Sequence, residues 1–168
     1  RERLPVRSVQ MTALGANGNK LHEENYASYL PDVVEPGETM LVSEWMYAFV
    51  KDIGKVASIE INVETGSRAG EKWNRLDDVR AWLDGEYLCV EFTNTTDATL
   101  FSVVCGATVS DADGRILDML LQSEYDTDDL GVASGSSVVW RKQLEDAATL
   151  KIGTDAVCEA WAYKIESL

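Results

Sequence analysis

From Leu100 onward the apolar residues Phe101, Val103, Cys105, Ala107 and Val109 occupy every second position, the period of a strand with one face in a core. That run ends at Asp113-Gly114, a dipeptide suited to the positive φ angles of a tight hairpin, and an apolar run from Ile116 to Leu121 follows. The pattern predicts a hairpin. Beyond Asp128 and Asp129, a loop containing Gly135, Ser136 and Ser137 leads to a further strand in "VVWRKQL", and a last strand is predicted from about Ala156 to Ile165. Upstream, Leu88, Val90 and Phe92 alternate after Asp84-Gly85, another hairpin signal. Trp73, Leu76, Val79 and Leu83 also fall at helical spacing, so a short helix from Glu71 to Leu83 leading into the strand competes there. Turn signals about every ten residues between short alternating runs point to an all-β sandwich or barrel.

The same order of elements occurs earlier in the chain. Reading from Val6, Asn17-Gly18 stands in place of Asp113-Gly114, Leu21 in place of Leu117, and Tyr29 in place of Tyr125. Further on, "VVEPGETMLV" lies over "GVASGSSVVW", which puts Gly37 on Gly135, and "ASIEINV" lies over "AVCEAWA". Landmarks that recur in one order indicate an internal repeat. The expected organisation is two tandem β-sandwich domains, residues 1–66 and 79–168, joined by a polar linker over 67–78 that holds at most one helical turn. Only "RERLP" precedes the first alternating run, so the first copy lacks a counterpart of the hairpin around Asp84-Gly85. A sheet without those strands exposes an edge or a core face. Removal of the missing part, a smaller sheet, or a strand supplied by a partner, including a dimer by edge-strand pairing, would each account for it.

The repeat also decides how "SDADGRIL" is read. An EF-hand loop needs oxygen ligands at its first and last positions around a central turn glycine. With Gly114 in that place, Val109 and Leu120 occupy the ends. The first copy keeps the glycine and replaces most of the acidic character by Ala16 and Asn17, so the shared feature is a turn. An irregular calcium site built from Asp126, Asp128 and Asp129 is the remaining metal candidate; no other cofactor is expected.

The chain has 168 residues, 45% of them apolar, with five Trp, which is enough for real cores. Its 15 basic and 29 acidic side chains leave a net charge of −14, concentrated in the second half. That charge argues against nucleic acid or anionic lipid as a partner. No apolar run approaches the about 20 residues needed to cross a bilayer, and no basic leader opens the chain, which reads as a soluble piece. Cys89, Cys105 and Cys158 have neither the even count of a disulfide framework nor the spacing of a zinc site. They read as buried thiols, with a Cys105 to Cys158 bridge as the alternative.

The second half resembles the bacterial FxLYD-type domains and related immunoglobulin-like surface modules. The resemblance rests on "LDGEYLCVEFTNTTDATL", "VVCGATVSDADGRIL" and "GVASGSS", in the order strand, Asn-Thr turn, strand, Asp-x-x-Gly turn and glycine loop. Val109 and Asp111 sit at the Leu and Asp of the naming motif, while Ala107 and Ser110 replace its Phe and Tyr. The first half matches more loosely, through the Pro-Gly loop "VVEPGET". The resemblance implies small antiparallel immunoglobulin-like sandwiches of exported or membrane-anchored bacterial proteins, at the cell surface, with no catalytic residues.

The chemistry in the sequence is sparse. His22 is the single histidine and reads as a solvated residue; every Cys lies in the other half, which disfavours Ser-His-Asp and Cys-His arrangements. No phosphate-binding loop or dinucleotide fingerprint is present. The aromatic rows Trp45, Tyr47, Phe49 and Trp161, Tyr163 alternate on strands and are expected in a core or between domains. Tyr26 and Tyr29 fall in an expected connection and are the binding candidates. The chain therefore reads as a non-enzymatic structural or ligand-presenting module, whose partner would be a protein or surface polymer. A carboxylate-dependent hydrolase of an extracellular polymer and a calcium-dependent binder are the alternatives.

Overall fold

A computed structural model describes residues 4–43, 53–66, 71–122, 131–146 and 151–167. It is all-β, with several antiparallel sheets, and divides into two compact units, Arg1–Gly70 and Glu71–Leu168. Trp45, Tyr47, Phe49, Tyr125, Asp126, Asp128 and Asp129 lie outside the described residues.

The first unit comprises β1 (Leu4–Gly15), β2 (Lys20–Glu24), β3 (Ser28–Leu30), β4 (Val33–Val34), β5 (Leu41–Ser43), a single 3-10 turn at Ile53–Lys55 and β6 (Val56–Thr65). β1 is the central strand: it pairs with β2, β4 and β6, while β3 and β5 form a separate two-stranded sheet. Val9, Met11 and Ala13 project to one face of β1 and are buried with Val6 and Ala27; Leu21, Tyr29, Val34 and Val42 pack around them.

The second unit comprises β7 (Glu71–Leu76), β8 (Val79–Asp84), β9 (Tyr87–Thr93), β10 (Val103–Ser110), β11 (Ile116–Gln122), β12 (Ser137–Gln143) and β13 (Val157–Ser167). One sheet runs β11-β10-β13-β7 and the other β12-β9-β8. Both contribute to one core: Leu88, Val90, Phe92 and Trp140 from the second sheet meet Val103, Cys105, Ala107, Val109, Leu120 and Ala162 from the first. The strand period of two accounts for this selection, since each strand sends alternate residues inward. Lys142 shares the inward row opposite Leu88 and resolves its charge on Asp118 of β11 and the Met119 carbonyl oxygen, so this pair ties the two sheets at their rim.

Three expectations are corrected. No helix forms over Glu71–Leu83; those residues make β7 and β8, because Leu76, Val79, Ala81 and Leu83 reach the core as strand residues paired with β13 and β9. The backbone pairing overrides the helical spacing. For the same reason Glu71–Leu76 is not linker but a strand of the second unit. Finally, β10 is buried on both faces instead of one, with Thr108 and Tyr163 of β13 enclosed on the side away from the core, and Trp161 half-buried beside them. Phe101, the first residue of the alternating row, lies before the strand and is exposed.

The turns follow from glycine at positive φ. At Asp111–Arg115 the Gly114 N–H donates to the Asp111 carbonyl oxygen at 3.0 Å, and the Asp111 N–H to that of Arg115 at 3.0 Å, with Gly114 at φ 78°. Asp111 Oδ1 accepts from the N–H groups of Asp113 and Arg115. This carboxylate closes a turn. The corresponding bonds in the first unit, Gly18 N–H to Gly15 and Gly15 N–H to Asn19, and φ 73° at Gly18, trace the same loop.

The recurrence extends to strand register. Each hairpin carries an irregularity just before its turn, between Ala13 and Leu14 and between Val109 and Ser110. Leu4 pairs with Val34 as Leu100 bridges Val132. Val9, Met11 and Ala13 face Val63, Ile61 and Ile59, and Cys105, Ala107 and Val109 face Ala162, Ala160 and Cys158. What differs is the cover: the described residues of the first unit contain no pair corresponding to β8 and β9.

A buried amide locks the turn that feeds β10. Asn94 is fully buried, its Nδ2 donating to the carbonyl oxygens of Ala98 and Val132 at 2.8 and 2.7 Å, its Oδ1 accepting from the N–H and hydroxyl of Thr96. Asn94→Ala is expected to destabilise the second unit by about 1–3 kcal/mol through the carbonyl groups left behind. Asn94→Asp should cost more, because a carboxylate oxygen would face two carbonyl oxygens. Urea denaturation followed by Trp fluorescence measures both, and unchanged midpoints would remove the latch.

Candidate functional site

The face of the β1–β6 pair turned away from its apolar row is polar. Ser8, Gln10 and Thr12 stand opposite Glu64, Asn62 and Glu60, where the second unit has Val104 opposite Tyr163, Gly106 opposite Trp161 and Thr108 opposite Glu159. The exchange of apolar for amide and carboxylate side chains opens a cleft of about 500 Å³ along this face. Arg7, Ser8 and Gln10 form one wall and Asn62 and Glu64 the other. Asn25 and Tyr26, from the connection between β2 and β3, close one end.

Local hydrogen bonds hold the groups in place. Gln10 Nε2 donates to Asn25 Oδ1 at 2.7 Å, the Ala27 N–H donates to the Val9 carbonyl oxygen at 3.0 Å, and the Tyr26 N–H donates to Glu24 Oε1 at 3.0 Å. The tyrosine backbone is thus fixed on both sides while the residue stays 82% exposed. Glu64 is held by Arg7 at 3.4 Å and the Ser8 hydroxyl at 3.0 Å. Exposed pairs of this kind add little stability, so their effect here is to orient the carboxylate. The cleft offers amide donors and acceptors, one oriented carboxylate and one aromatic face.

Of the two tyrosines singled out in the sequence, only Tyr26 lies here. Tyr29 belongs to β3 rather than to a connection, packs against the first unit's core and donates its hydroxyl to the Val6 carbonyl oxygen at 3.4 Å. Arg7, Ser8, Gln10, Asn25, Asn62 and Glu64 were not singled out. Their signal is present only once the register pairs the polar alternates of two distant strands.

A second, shallower cleft of about 250 Å³ is lined by Asp77, Asp78, Glu91 and their neighbours. Glu91 there accepts from Arg80 at 2.7 and 3.1 Å, and Asp78 accepts from the Thr95 hydroxyl at 2.7 Å. His22 sits half-buried on β2 opposite Ala13, and among the described residues no three His, Cys, Asp or Glu side chains cluster to hold a metal ion. Nor is any helix among them long and apolar enough to cross a membrane.

No family model matches the chain, and no curated protein or solved structure matches it either.

The three cysteines are free thiols. Cys158 faces Val109, and Cys105 faces Ala162, so the alternative of a Cys105 to Cys158 bridge is corrected: the register sets the two four positions apart along β10. Burial pushes the Cys105 thiol up to about 12, and Cys158 is raised by burial and then by Cys89. Neutral Cys105 costs nothing below its ordinary value of 9.0; above it the unfolded chain ionises while the folded one keeps its proton to about 12. Stability is therefore expected to fall as pH rises from about 9 towards about 12. Denaturation midpoints across that range should fall more steeply for the wild type than for Cys105→Ala, and parallel curves would refute the assignment.

Proposed function

We propose that the chain is a non-catalytic, ligand-presenting module of an exported or cell-surface bacterial protein, built from two immunoglobulin-like β-sandwich units of the FxLYD type, the first incomplete. Its binding site is the polar cleft beside Tyr26, and its ligand is a neutral surface polymer of the polysaccharide class. The observation that carries this reading is a tyrosine, Tyr26, 82% exposed on a hydrogen-bonded backbone, at the end of a row of amide side chains. A sugar presents hydroxyl groups that amides and a carboxylate can bond and an apolar C–H face that can lie on an aromatic ring.

The remaining chemistry fits the same reading. The net charge of −14 disfavours anionic polymers and leaves neutral ones. The sandwich assignment is supported by two sheets sharing one core in the second unit and by the common register of the two halves. In the cleft Glu64 is already held by Arg7 and Ser8, an arrangement that suits recognition better than proton transfer. A glycan array followed by calorimetry on the best neutral glycan tests the site. Tyr26→Ala should weaken binding at least about tenfold with the circular dichroism spectrum unchanged, since its ring leaves the core intact. Absence of binding to any neutral glycan, or binding indifferent to Tyr26→Ala, would overturn the proposal.

A further inference from the structure

The strand β6 carries a surface that its counterpart β13 does not. β13 is hydrogen-bonded on both edges, to β10 and to β7. Among the described residues β6 pairs with β1 alone. Its inward row is also uncovered: Ile59, Ile61 and Val63 are 50%, 53% and 39% exposed, although the corresponding Cys158, Ala160 and Ala162 of β13 pack in the second unit's core. Between the irregularities at its two ends, Ser58–Glu64 runs in unbroken register with β1. That stretch has neither Lys nor Pro, and of the devices that protect an edge it carries only the charges of Glu60 and Glu64, which alternate with the apolar row.

We propose that β6 is a self-association edge, on which a second copy of this chain adds its own β6 antiparallel about a twofold axis through Ile61. Symmetric pairing requires the axis to pass at one residue, and the charges choose which. An axis at Glu60 would set two carboxylates face to face, and an axis at Asn62 would place Glu60 against Glu64 of the other copy twice. With the axis at Ile61, Ile59 meets Val63, Ile61 meets itself, Glu60 meets the Asn62 amide, and Glu64 meets the Ser58 hydroxyl. No two carboxylates then stand directly opposite, and all seven residues of the regular stretch pair. The Arg7 contact on Glu64 further lowers the charge that the two copies bring together. Backbone bonds give the attraction, and the apolar row, made continuous across the axis, gives the register.

Analytical ultracentrifugation of the whole chain from about 1 μM to about 1 mM spans the affinities open to such a pairing. A monomer–dimer equilibrium is expected. Ile61→Lys places two ammonium groups at the axis and should abolish the dimer. Ser58→Lys, facing Glu64 of the other copy, should tighten it about three- to tenfold, and Ser58→Glu should loosen it. Ser58 lies outside the polar cleft but acts on Glu64, which lines it, so these two variants are read by sedimentation without ligand, and they carry the test if Ile61→Lys fails to fold. A monomer at every concentration, or a dimer insensitive to the charge at position 58, would overturn the proposal.

Discussion

A sheet with one apolar face must have that face covered, and the rest of this structure depends on how each unit meets that demand. In the second unit, β8, β9 and β12 lay Leu88, Val90, Phe92 and Trp140 over the inward row of β10 and β13. Apolar area removed from water there contributes roughly 25 cal/mol per Å², and small units have little to spare, since they bury a smaller fraction of their surface than large ones. The first unit repeats the register of β10, β11 and β13 in β1, β2 and β6, but among the described residues Leu21, Tyr29, Val34 and Val42 cover the β1 side of the row. Its β6 side stays open.

Burial of polar groups follows the same economy of space. The second unit encloses Asn94 with every amide atom bonded, and it admits a lysine to the inner row only where Asp118 and a backbone carbonyl receive it. A buried amide with its partners in place specifies one conformation of the turn, whereas the same amide half-satisfied would cost stability. Gly131 fixes the neighbouring segment: at φ 66° it approaches Leu100 so closely that a Cβ would stand 2.8 Å from the Leu100 carbonyl oxygen. Opposite demands meet on the outer faces, where the second unit carries Trp161 and Tyr163 and the first carries Asn62 and Glu64. One backbone register thus presents an enclosed surface in one unit and a polar cleft in the other.

The strands and hairpins were legible because period-two alternation and glycine turns are local signals. Asn17-Gly18 and Asp113-Gly114 mark turns of one geometry, and Asp111 is a backbone acceptor there, as the absence of carboxylates in the first copy suggested. The hairpin at Asp84-Gly85 was legible, and the competing helix over 71–83 arose because Val79 and Leu83 satisfy the helical and the strand period alike; only pairing with β9 and β13 decides between them. The two-sided burial of β10 escaped for a related reason: alternation reports the difference between faces, and Thr108 gives no warning that it is enclosed. Tyr26 stood out as an aromatic residue in a loop. Of the amides beside it, Gln10 and Asn62 come from strands about fifty residues apart in the chain, brought together by a register that no local pattern encodes.

Amide hydrogen exchange, read residue by residue on β6 and β13 in dilute protein, tests most directly whether two strands of one register differ in their cover. β13, paired on both edges, should be protected at consecutive residues. β6 should be protected only at alternate residues, those bonded to β1, with Ile59, Ile61 and Val63 lying in an open face. Equal protection of consecutive β6 residues in dilute solution would contradict the open edge and the contrast between the two units.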